Sequence, residues 1–429
     1  MAIPPACIGD DNMKPRQFGS SSTLVRAPGK VFGFLGLALT ATLLQPMSAF
    51  AAAPKILVVS KDVNCWPQVS GPLYPTIQSA INAMPVYLNG QNTIIVCPGT
   101  YPEQVVVNKN ITITGALRDG TDPLSENGNS AEAKIVVPPG GLQRRQLLSG
   151  KWVAAQVVAD NIADVNLINL TIDGHGAGCP VDPSLQPIPF AGVVFSKVGV
   201  AGTGLEGNVS KSSIRAEIGF QPDGVTHCYQ GDGIIVDDNS YVTIDSNSIH
   251  DVDLSPILQT GGITRITNNT LSRTWYGIWL TGVGATFNPA NVGSTVAGNY
   301  IQSSTGAGVH LDGSSNVLVS QNQITNAFGA GIQVSHGGSD NDIVENRIND
   351  AWWGIYLGDN GHRRINVSYN TIVHSTTAAI VDYFSEGDNN ITDNTINDAP
   401  IGIQVHVIHN DVYLPNTFYN VTVLTLAVP

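Results

Sequence analysis

Residues 319–357 read VSQNQITNAFGAGIQVSHGGSDNDIVENRINDAWWGIYL, and this stretch contains the same pattern twice. An apolar residue, an asparagine and a second apolar residue return after 24 positions, first as Val319, Asn322 and Ile324 and then as Ile343, Asn346 and Ile348. A glycine–isoleucine pair follows each asparagine, at 331–332 and 354–355. The chain is therefore built from a repeat, and the period of that repeat decides the fold.

The same asparagine occurs seven times, at positions 247, 269, 299, 322, 346, 370 and 394. Each unit of about 23 residues holds three short stretches of period-2 alternation separated by polar turns, and no helical period runs through it. Strands this short bury their β-branched residues by stacking coil upon coil. We expect an all-β parallel β-helix, a solenoid whose asparagines form a structural ladder and adopt the left-handed turn at each corner.

Residues 74–83, which read YPTIQSAINA, predict a short helix at the start of this solenoid. Thr76 is a favourable N-cap residue, and Ile77, Ala80 and Ile81 would lie on one face of the helix. We expect this helix to cap the open end of the first coil.

The segment PGTYPE at 98–103, followed by ITITG at 111–115, resembles the opening coils of the pectin-lyase-like superfamily of right-handed β-helices. The later coils are similar to the β-helix repeats of that superfamily and of periplasmic accessory proteins that serve nitrous oxide reductase. The likeness covers about residues 55–410 and implies a right-handed parallel β-helix with a short N-terminal capping helix. It does not single out one activity, because motifs typical of polygalacturonases, pectin methylesterases and mannuronan epimerases are missing.

The first 51 residues predict a cleavable export signal, with a basic start, an apolar segment at 31–44 and the cleavage site Ala49-Phe50-Ala51. We therefore expect a secreted or periplasmic protein with a single domain over 52–429. Outside the signal, no apolar stretch approaches the ~20 residues of a membrane span, so no span is expected after cleavage.

The formal net charge is −13, from 20 basic and 33 acidic residues. Nucleic acid is not expected as a partner, because its binding proteins carry the opposite charge. A polyanionic polysaccharide would need a local basic patch or a bridging cation. The sequence leaves the oligomeric state open.

Four cysteines remain beyond the signal, and an even number in an oxidising compartment predicts two disulfides among three possible pairings. Two long inserts, at about 173–191 and 215–232, leave the same corner on neighbouring coils and contain Cys179 and Cys228. We expect a Cys179–Cys228 disulfide between them and, by elimination, a Cys65–Cys97 disulfide. The paired inserts would form the wall of a binding groove, or would simply be a stabilised insertion.

Outward positions of the glycine–isoleucine strands provide the candidate site. One column contains Trp279, His310, Gln333 and Tyr356, with Ile380 on the following coil. Adjacent coils lie ~4.8 Å apart, so the first four side chains would extend over about 14 Å, roughly three sugar units.

Further candidates flank that column. Asp237 and Asp312 share the next outward column, His336 follows on the coil after Asp312, and the preceding corner carries Arg273, Trp275, Tyr276, Phe328, Trp352 and Trp353. Rings beside polar groups suit sugar rings and their hydroxyls, so we expect a polysaccharide as partner. The alternative is that the rings cover the sheet.

The chemistry of such a groove has several alternatives. In a lyase or C5-epimerase, Tyr356 or His310 would exchange the proton, and Arg273 or Asp312 with a cation would neutralise the carboxylate. A glycoside hydrolase needs two carboxylates ~5–10 Å apart. The candidates are Asp232, Asp237 and Asp238 on one coil, with Asp251 or Asp253 from the next corner. We expect a carbohydrate-active enzyme of one of these kinds, and a non-catalytic glycan-binding protein or a periplasmic accessory docking protein is the alternative. Residues 339–342 offer oxygen ligands for Ca²⁺ or form an ordinary turn, and no other metal or cofactor is expected.

Overall fold

The computed structural model describes residues 55–61, 72–85, 92–116, 132–174, 190–200, 203–215, 219–220, 227–229, 231–237, 239–283, 293–358, 361–406 and 410–427. These residues belong to one compact unit, Ala53–Pro429. The predicted signal, residues 1–51, lies outside them, and so its cleavage remains a prediction. In the described ranges, no helix is long and apolar enough to cross a membrane.

The strands form three sheets, and the single helix of the described residues spans Ile77–Ala83. The first sheet has thirteen strands along one face of the solenoid: Ile56–Val59, Leu73–Tyr74, Thr93–Val96, Ile111–Gly115, Val165–Ile168, Gly207–Ser210, Tyr241–Asp245, Ile263–Thr267, Thr295–Ala297, Leu318–Ser320, Asp342–Val344, Asn366–Ser368 and Asn390–Thr392.

The second sheet has twenty strands, which supply the other two faces of each coil: Gly99–Pro102, Val105–Val107, Ala133–Val136, Arg145–Gln146, Trp152–Ile162, Thr171–Asp173, Phe190–Val198, Ser213–Arg215, Gly231–Asp237, Ser248–Val252, Ile257–Gln259, Thr270–Thr274, Ile278–Thr281, Tyr300–Ser304, Val309–Asp312, Gln323–Ser335, Arg347–Leu357, Thr371–Asp382, Thr395–Val405 and Thr417–Ala427. The third sheet is an antiparallel pair, Gly219–Phe220 with His227–Tyr229, inside the second predicted insert.

The core consists of apolar side chains that stack in columns inside the coils. Each side chain two positions after a ladder asparagine is at most 1 % exposed, and they stack from Ile249 to Ile396. They belong to one hydrophobic cluster that runs from Leu57 to Val405. Burying such a side chain contributes about 1.5–3 kcal/mol, so stacking stabilises coils that no single strand pair would hold together. The predicted all-β right-handed parallel β-helix is confirmed.

The asparagine ladder is also confirmed as a structural device. Asn346 is 1 % exposed, and its Oδ1 accepts hydrogen bonds from the backbone N–H (3.0 Å) and the Nδ2 (2.9 Å) of Asn322. Its Nδ2 donates to Oδ1 of Asn370 at 3.0 Å. The ladder continues to Asn416, one coil beyond the predicted column.

The expectation that the ladder asparagines adopt the left-handed conformation is wrong. The residue immediately before each of them does so, with φ between 55° and 66°, from Ser246 on the first coil to Asp393 on the last. The left-handed residue turns the chain at the corner, so that the following asparagine points inward. The ladder side chain therefore supplies hydrogen bonds, and the position before it supplies the bend.

The capping helix forms as predicted. Thr76 is the N-cap and shares a capping box with Ser79, and Ile77, Ala80 and Ile81 are buried. A carboxylate from a following coil reinforces the cap: Glu103 accepts hydrogen bonds from the backbone N–H groups of the first two helical residues at 2.8 and 2.9 Å. A negative charge at the N-terminus also interacts favourably with the positive end of the helix dipole.

The cysteine predictions fall largely outside the described residues. Cys97 is buried and disulfide-bonded. Cys65, Cys179 and the side chain of Cys228 lie outside the described part of the chain, so the two predicted pairings remain predictions.

Candidate functional site

The third face of the coils is formed by the glycine–isoleucine strands of the second sheet, and its outward column is aligned as predicted over four coils. Strand register places Trp279, His310, Gln333 and Tyr356 beside one another in that order. The next coil presents Val381 in this column, and the prediction of Ile380 is wrong. That coil contains one additional residue at the corner between Ser375 and Ala378, which displaces every later position by one.

His310 lies beneath aromatic rings and is only 6 % exposed. Its ring centroid is 5.2 Å from that of Tyr276 and 5.7 Å from that of Trp279, with which it stacks at an interplanar angle of 12°. Nε2 forms a hydrogen bond with the Ser335 hydroxyl at 2.8 Å. Burial lowers the pKa of His310 to about 4, although nearby Asp312 acts in the opposite direction. The imidazole is therefore neutral at neutral pH.

A second imidazole lies outside this cluster and is open to solvent. His336 Nδ1 contacts Asp312 Oδ1 at 2.5 Å, and the two side chains are 66 % and 20 % exposed. Burial, and then the charge of Asp312, raise the pKa of the Tyr276 phenol. The third face thus holds an exposed imidazole–carboxylate pair beside a buried neutral histidine.

The structure does not place Asp237 in this cluster. Its strand lies three coils before that of His310, a separation of about 14 Å. The carboxylate is buried and contacts Lys151 Nζ at 2.5 Å and the Thr260 hydroxyl at 2.6 Å. Asp232 is five residues away on the same extended strand, about 16 Å, whereas a hydrolase pair requires about 5–10 Å. These two carboxylates do not form a hydrolytic pair.

Arg273 is engaged at the corner of its own coil. Its Nε and Nη2 donate to the two carboxylate oxygens of Asp251 at 2.6 and 2.8 Å. The hydrogen bond from Arg273 lowers the pKa of Asp251 to about 2. The charge of this guanidinium is therefore already neutralised.

The corner between the second and third faces carries a groove. A left-handed residue stands four positions after each ladder asparagine, with φ of 56–59°: Asp251, Arg273, Ser303, Asn326, Asp350, His374 and Asp398. Two positions further, Trp275, Phe328 and Trp352 are 55, 70 and 51 % exposed. The position between the two columns is a buried alanine at 327 and 351.

These columns enclose a cavity of about 780 Å³, which we call the corner groove, lined by Ser303, Asn326, Ala327, Phe328, Asp350, Ala351, Trp352, His374 and Thr376. Sequence reasoning found the rings of this corner but missed Asp350, His374, Ser303 and Asn326. In the sequence, these four residues could have been recognised as polar residues that recur four positions after each ladder asparagine.

The corner groove is continuous with the third face through stacked rings. Trp352 stacks on Trp353 with centroids 5.3 Å apart, and Trp353 contacts Tyr356 at 4.9 Å. His374 bridges two coils, with Nδ1 3.5 Å from an Asp350 oxygen and Nε2 3.0 Å from an Asp398 oxygen. Rings and polar groups therefore form two parallel columns along the helix axis, which suits an elongated ligand.

The turn considered for Ca²⁺ has its oxygens engaged. Asp340 forms two hydrogen bonds with Arg364, both at 2.6 Å, which lower the pKa of that carboxyl. Asn341 points inward and accepts the backbone N–H of Val317 at 2.9 Å. No group of three or more histidine, cysteine, aspartate or glutamate side chains is arranged as a metal site among the residues that the structure describes.

Comparison with known proteins identifies the fold. Residues 232–396 match the family described as "Right handed beta helix region". No protein with a curated function matches the chain. The A-module of Azotobacter vinelandii mannuronan C-5 epimerase AlgE6 superposes with a TM-score of 0.51 and 20 % identity, covering 82 % of this chain and 94 % of that module. The Dettilon tailspike protein superposes with a TM-score of 0.56 and 14 % identity, covering 85 % of this chain and 68 % of the tailspike. The chain is a right-handed parallel β-helix, which confirms its resemblance to the pectin-lyase-like superfamily at the level of the fold.

Proposed function

We propose that the protein is exported and binds a polysaccharide whose chain lies along the corner groove across successive coils. The observation that carries this proposal is the groove of about 780 Å³, in which exposed Phe328 and Trp352 stand beside Asn326, Asp350 and His374. Aromatic faces pack on the apolar faces of sugar rings, and the polar side chains bond the hydroxyl groups.

The spacing of the groove supports a polymer over a single small molecule. Phe328 and Trp352 lie on adjacent coils, about 4.8 Å apart along the axis, and Trp275 extends the row by two further coils. The name of the Azotobacter vinelandii epimerase, which acts on mannuronan, is consistent with a glycan as the ligand of this fold. The predicted signal at 1–51 supports export to where such polymers occur.

Affinity electrophoresis tests this proposal. The purified protein is run through gels that contain neutral or acidic polysaccharides, and we expect at least one of them to retard it. Trp352→Ala removes an exposed ring contact of about 1–1.5 kcal/mol and should weaken binding by about five- to tenfold. Trp152→Ala is the matched control, because Trp152 is similarly exposed but lies on an early coil. Loss of retardation in both variants, or no retardation by any polymer, would contradict the proposal.

A second candidate function, chemical change of the bound glycan, is favoured by the exposed His336–Asp312 pair. A carboxylate at 2.5 Å orients this imidazole, which solvent and a ligand on the third face can reach. Such a pair suits proton exchange in a lyase, a C5-epimerase or a hydrolase. Gln333 lies on the same coil as His336 and Tyr356 lies on the next, so both would contact the same sugar chain.

A product assay by mass spectrometry and proton NMR separates these alternatives. Unsaturated ends identify a lyase, added water a hydrolase, and altered ring protons at unchanged mass an epimerase. We expect His336→Gln to abolish turnover while retardation in the gel remains. Retardation without any product leaves the binding function alone, and absence of both favours the docking alternative.

A further inference from the structure

We infer that the corner groove selects uncharged sugars and rejects polymers of uronic acids, an inference that rests on the proposed glycan-binding function. The first reason is the charge of the groove itself. Its ionisable lining side chains are Asp350 and His374, and Asp398 lies against the other side of the imidazole. With His374 protonated or neutral, these three groups sum to a charge of −1 or −2.

Among the residues that the structure describes, none that lines the groove is a lysine or an arginine. Arg273, on the same corner, is bound by both oxygens of Asp251 at 2.6 and 2.8 Å. Arg347 begins the strand that leads to Asp350, but it is not part of the lining. A sugar carboxylate in the groove would therefore meet a net negative charge in either protonation state of His374.

The size of this effect follows from Coulomb's law. Two like charges about 4 Å apart in a water-rich site repel enough to weaken binding about fivefold, and more where the groove excludes water. Salt reduces the effect, because the Debye length is about 10 Å at 0.1 M ionic strength. We therefore expect the penalty against a uronate polymer to be largest in dilute buffer.

The same groups suit a neutral sugar. Asp350 and Asp398 are about half exposed, so their oxygens can accept hydrogen bonds from sugar hydroxyls. The buried alanines at 327 and 351 form a flat floor between the columns, and Phe328 offers an open ring face. Hydroxyl donors and an apolar ring face are what an uncharged pyranose presents.

Matched polymers test the inference without changing linkage or length. Polygalacturonate and polymannuronate are compared in the gel with the same polymers after chemical reduction of their carboxyl groups, and a neutral β-glucan is included. In 20 mM salt we expect a reduced polymer or the β-glucan to retard the protein, and both polyuronates to leave it unretarded. Retardation by a polyuronate that disappears on carboxyl reduction would overturn the inference and leave the proposed function standing. If none of the five polymers retards the protein, the result contradicts both the proposed function and the inference that rests on it.

Substitution of single aspartates tests whether the corner groove causes the preference for uncharged polymers. Asp350→Asn and Asp398→Asn should each raise the ratio of polyuronate to neutral-polymer affinity severalfold. Asp342→Asn is the control, because it changes the net charge equally on the first sheet, far from the corner groove. If Asp342→Asn shifts the ratio as much as Asp350→Asn does, the net charge of −13 sets the preference and the assignment to the groove is overturned.

Discussion

Replacing one asparagine in the middle of the ladder, Asn346→Ala, should cost a large fraction of the stability of the β-helix. The change removes the acceptor for two buried donors of the preceding coil, the backbone N–H and the Nδ2 of Asn322. It also removes the donor to the carbonyl of Val319 at 2.9 Å. A buried polar group left without a partner costs about 1–3 kcal/mol, so two orphaned donors predict a loss of about 2–6 kcal/mol.

Urea denaturation followed by circular dichroism measures this loss as a shift of the unfolding midpoint at unchanged slope. Asn349→Ala is the control on the same coil, because its partly exposed side chain bonds only a neighbouring surface carboxylate, Asp350, and its loss should stay below about 0.5 kcal/mol. Equal midpoints for Asn346→Ala and Asn349→Ala would refute the structural role of the ladder.

Three further substitutions test other parts of the structure. His310 has a folded-state pKa of about 4 against 6.5 in the unfolded chain, so the unfolded state binds more protons between those values and stability falls as the pH falls through this window. Wild type should therefore lose about 3 kcal/mol more than His310→Gln between pH 7 and pH 4, measured by urea denaturation. A Cβ at Gly331 would lie 2.5 Å from Ile348 Cγ2, so Gly331→Ala should lower the free energy of unfolding by about 1–3 kcal/mol, seen as a lower urea midpoint. Glu103→Gln removes the charge at the helix N-terminus and should cost about 0.5–1 kcal/mol, seen as a lower thermal midpoint.

Each of these substitutions has a matched control. Gln333→Ala changes a side chain that does not titrate, next to His310 in the same column, and should leave the pH dependence unchanged; identical profiles for wild type and His310→Gln would contradict a buried neutral imidazole. Gly140→Ala adds a Cβ that meets nothing within 4 Å, and a midpoint shift as large as that of Gly331→Ala would contradict the steric argument. Glu345→Gln removes a surface charge remote from the helix. If it lowers the thermal midpoint as much as Glu103→Gln does, the result contradicts a specific effect of Glu103 on the helix N-terminus.

The fold could be predicted because its determinants recur at one spacing. Each ladder asparagine and each inward isoleucine has the same role on every coil, so the pattern is repeated seven times in one sequence. The aligned column from Trp279 to Tyr356 followed from the same spacing. The prediction became wrong at Ile380, where one additional residue enters the corner, because a bulge changes the register without changing the residue types.

The candidate site was less predictable, because burial and ion pairing depend on neighbouring coils. Sequence alone did not show that Tyr276 and Trp279 cover His310 and lower its pKa. The ion pairs could have been predicted from the sequence, because their partners are about one repeat apart. Arg273 pairs with Asp251, 22 residues away, and Arg364 pairs with Asp340, 24 residues away. Opposite charges separated by one repeat therefore predict partners on adjacent coils, and they identify charges that are not free for catalysis.

The coil-by-coil construction of the corner groove has a consequence for how ligand length can change. The ladder, the left-handed corner and the groove wall all repeat together, so removing or duplicating one whole coil, such as 347–370, would preserve every type of neighbouring contact. Each such event would change the groove by about 4.8 Å, close to the length of one sugar residue. Insertion or deletion of one repeat would therefore lengthen or shorten the groove by about one sugar residue, so the length of the bound segment would change in whole sugar units.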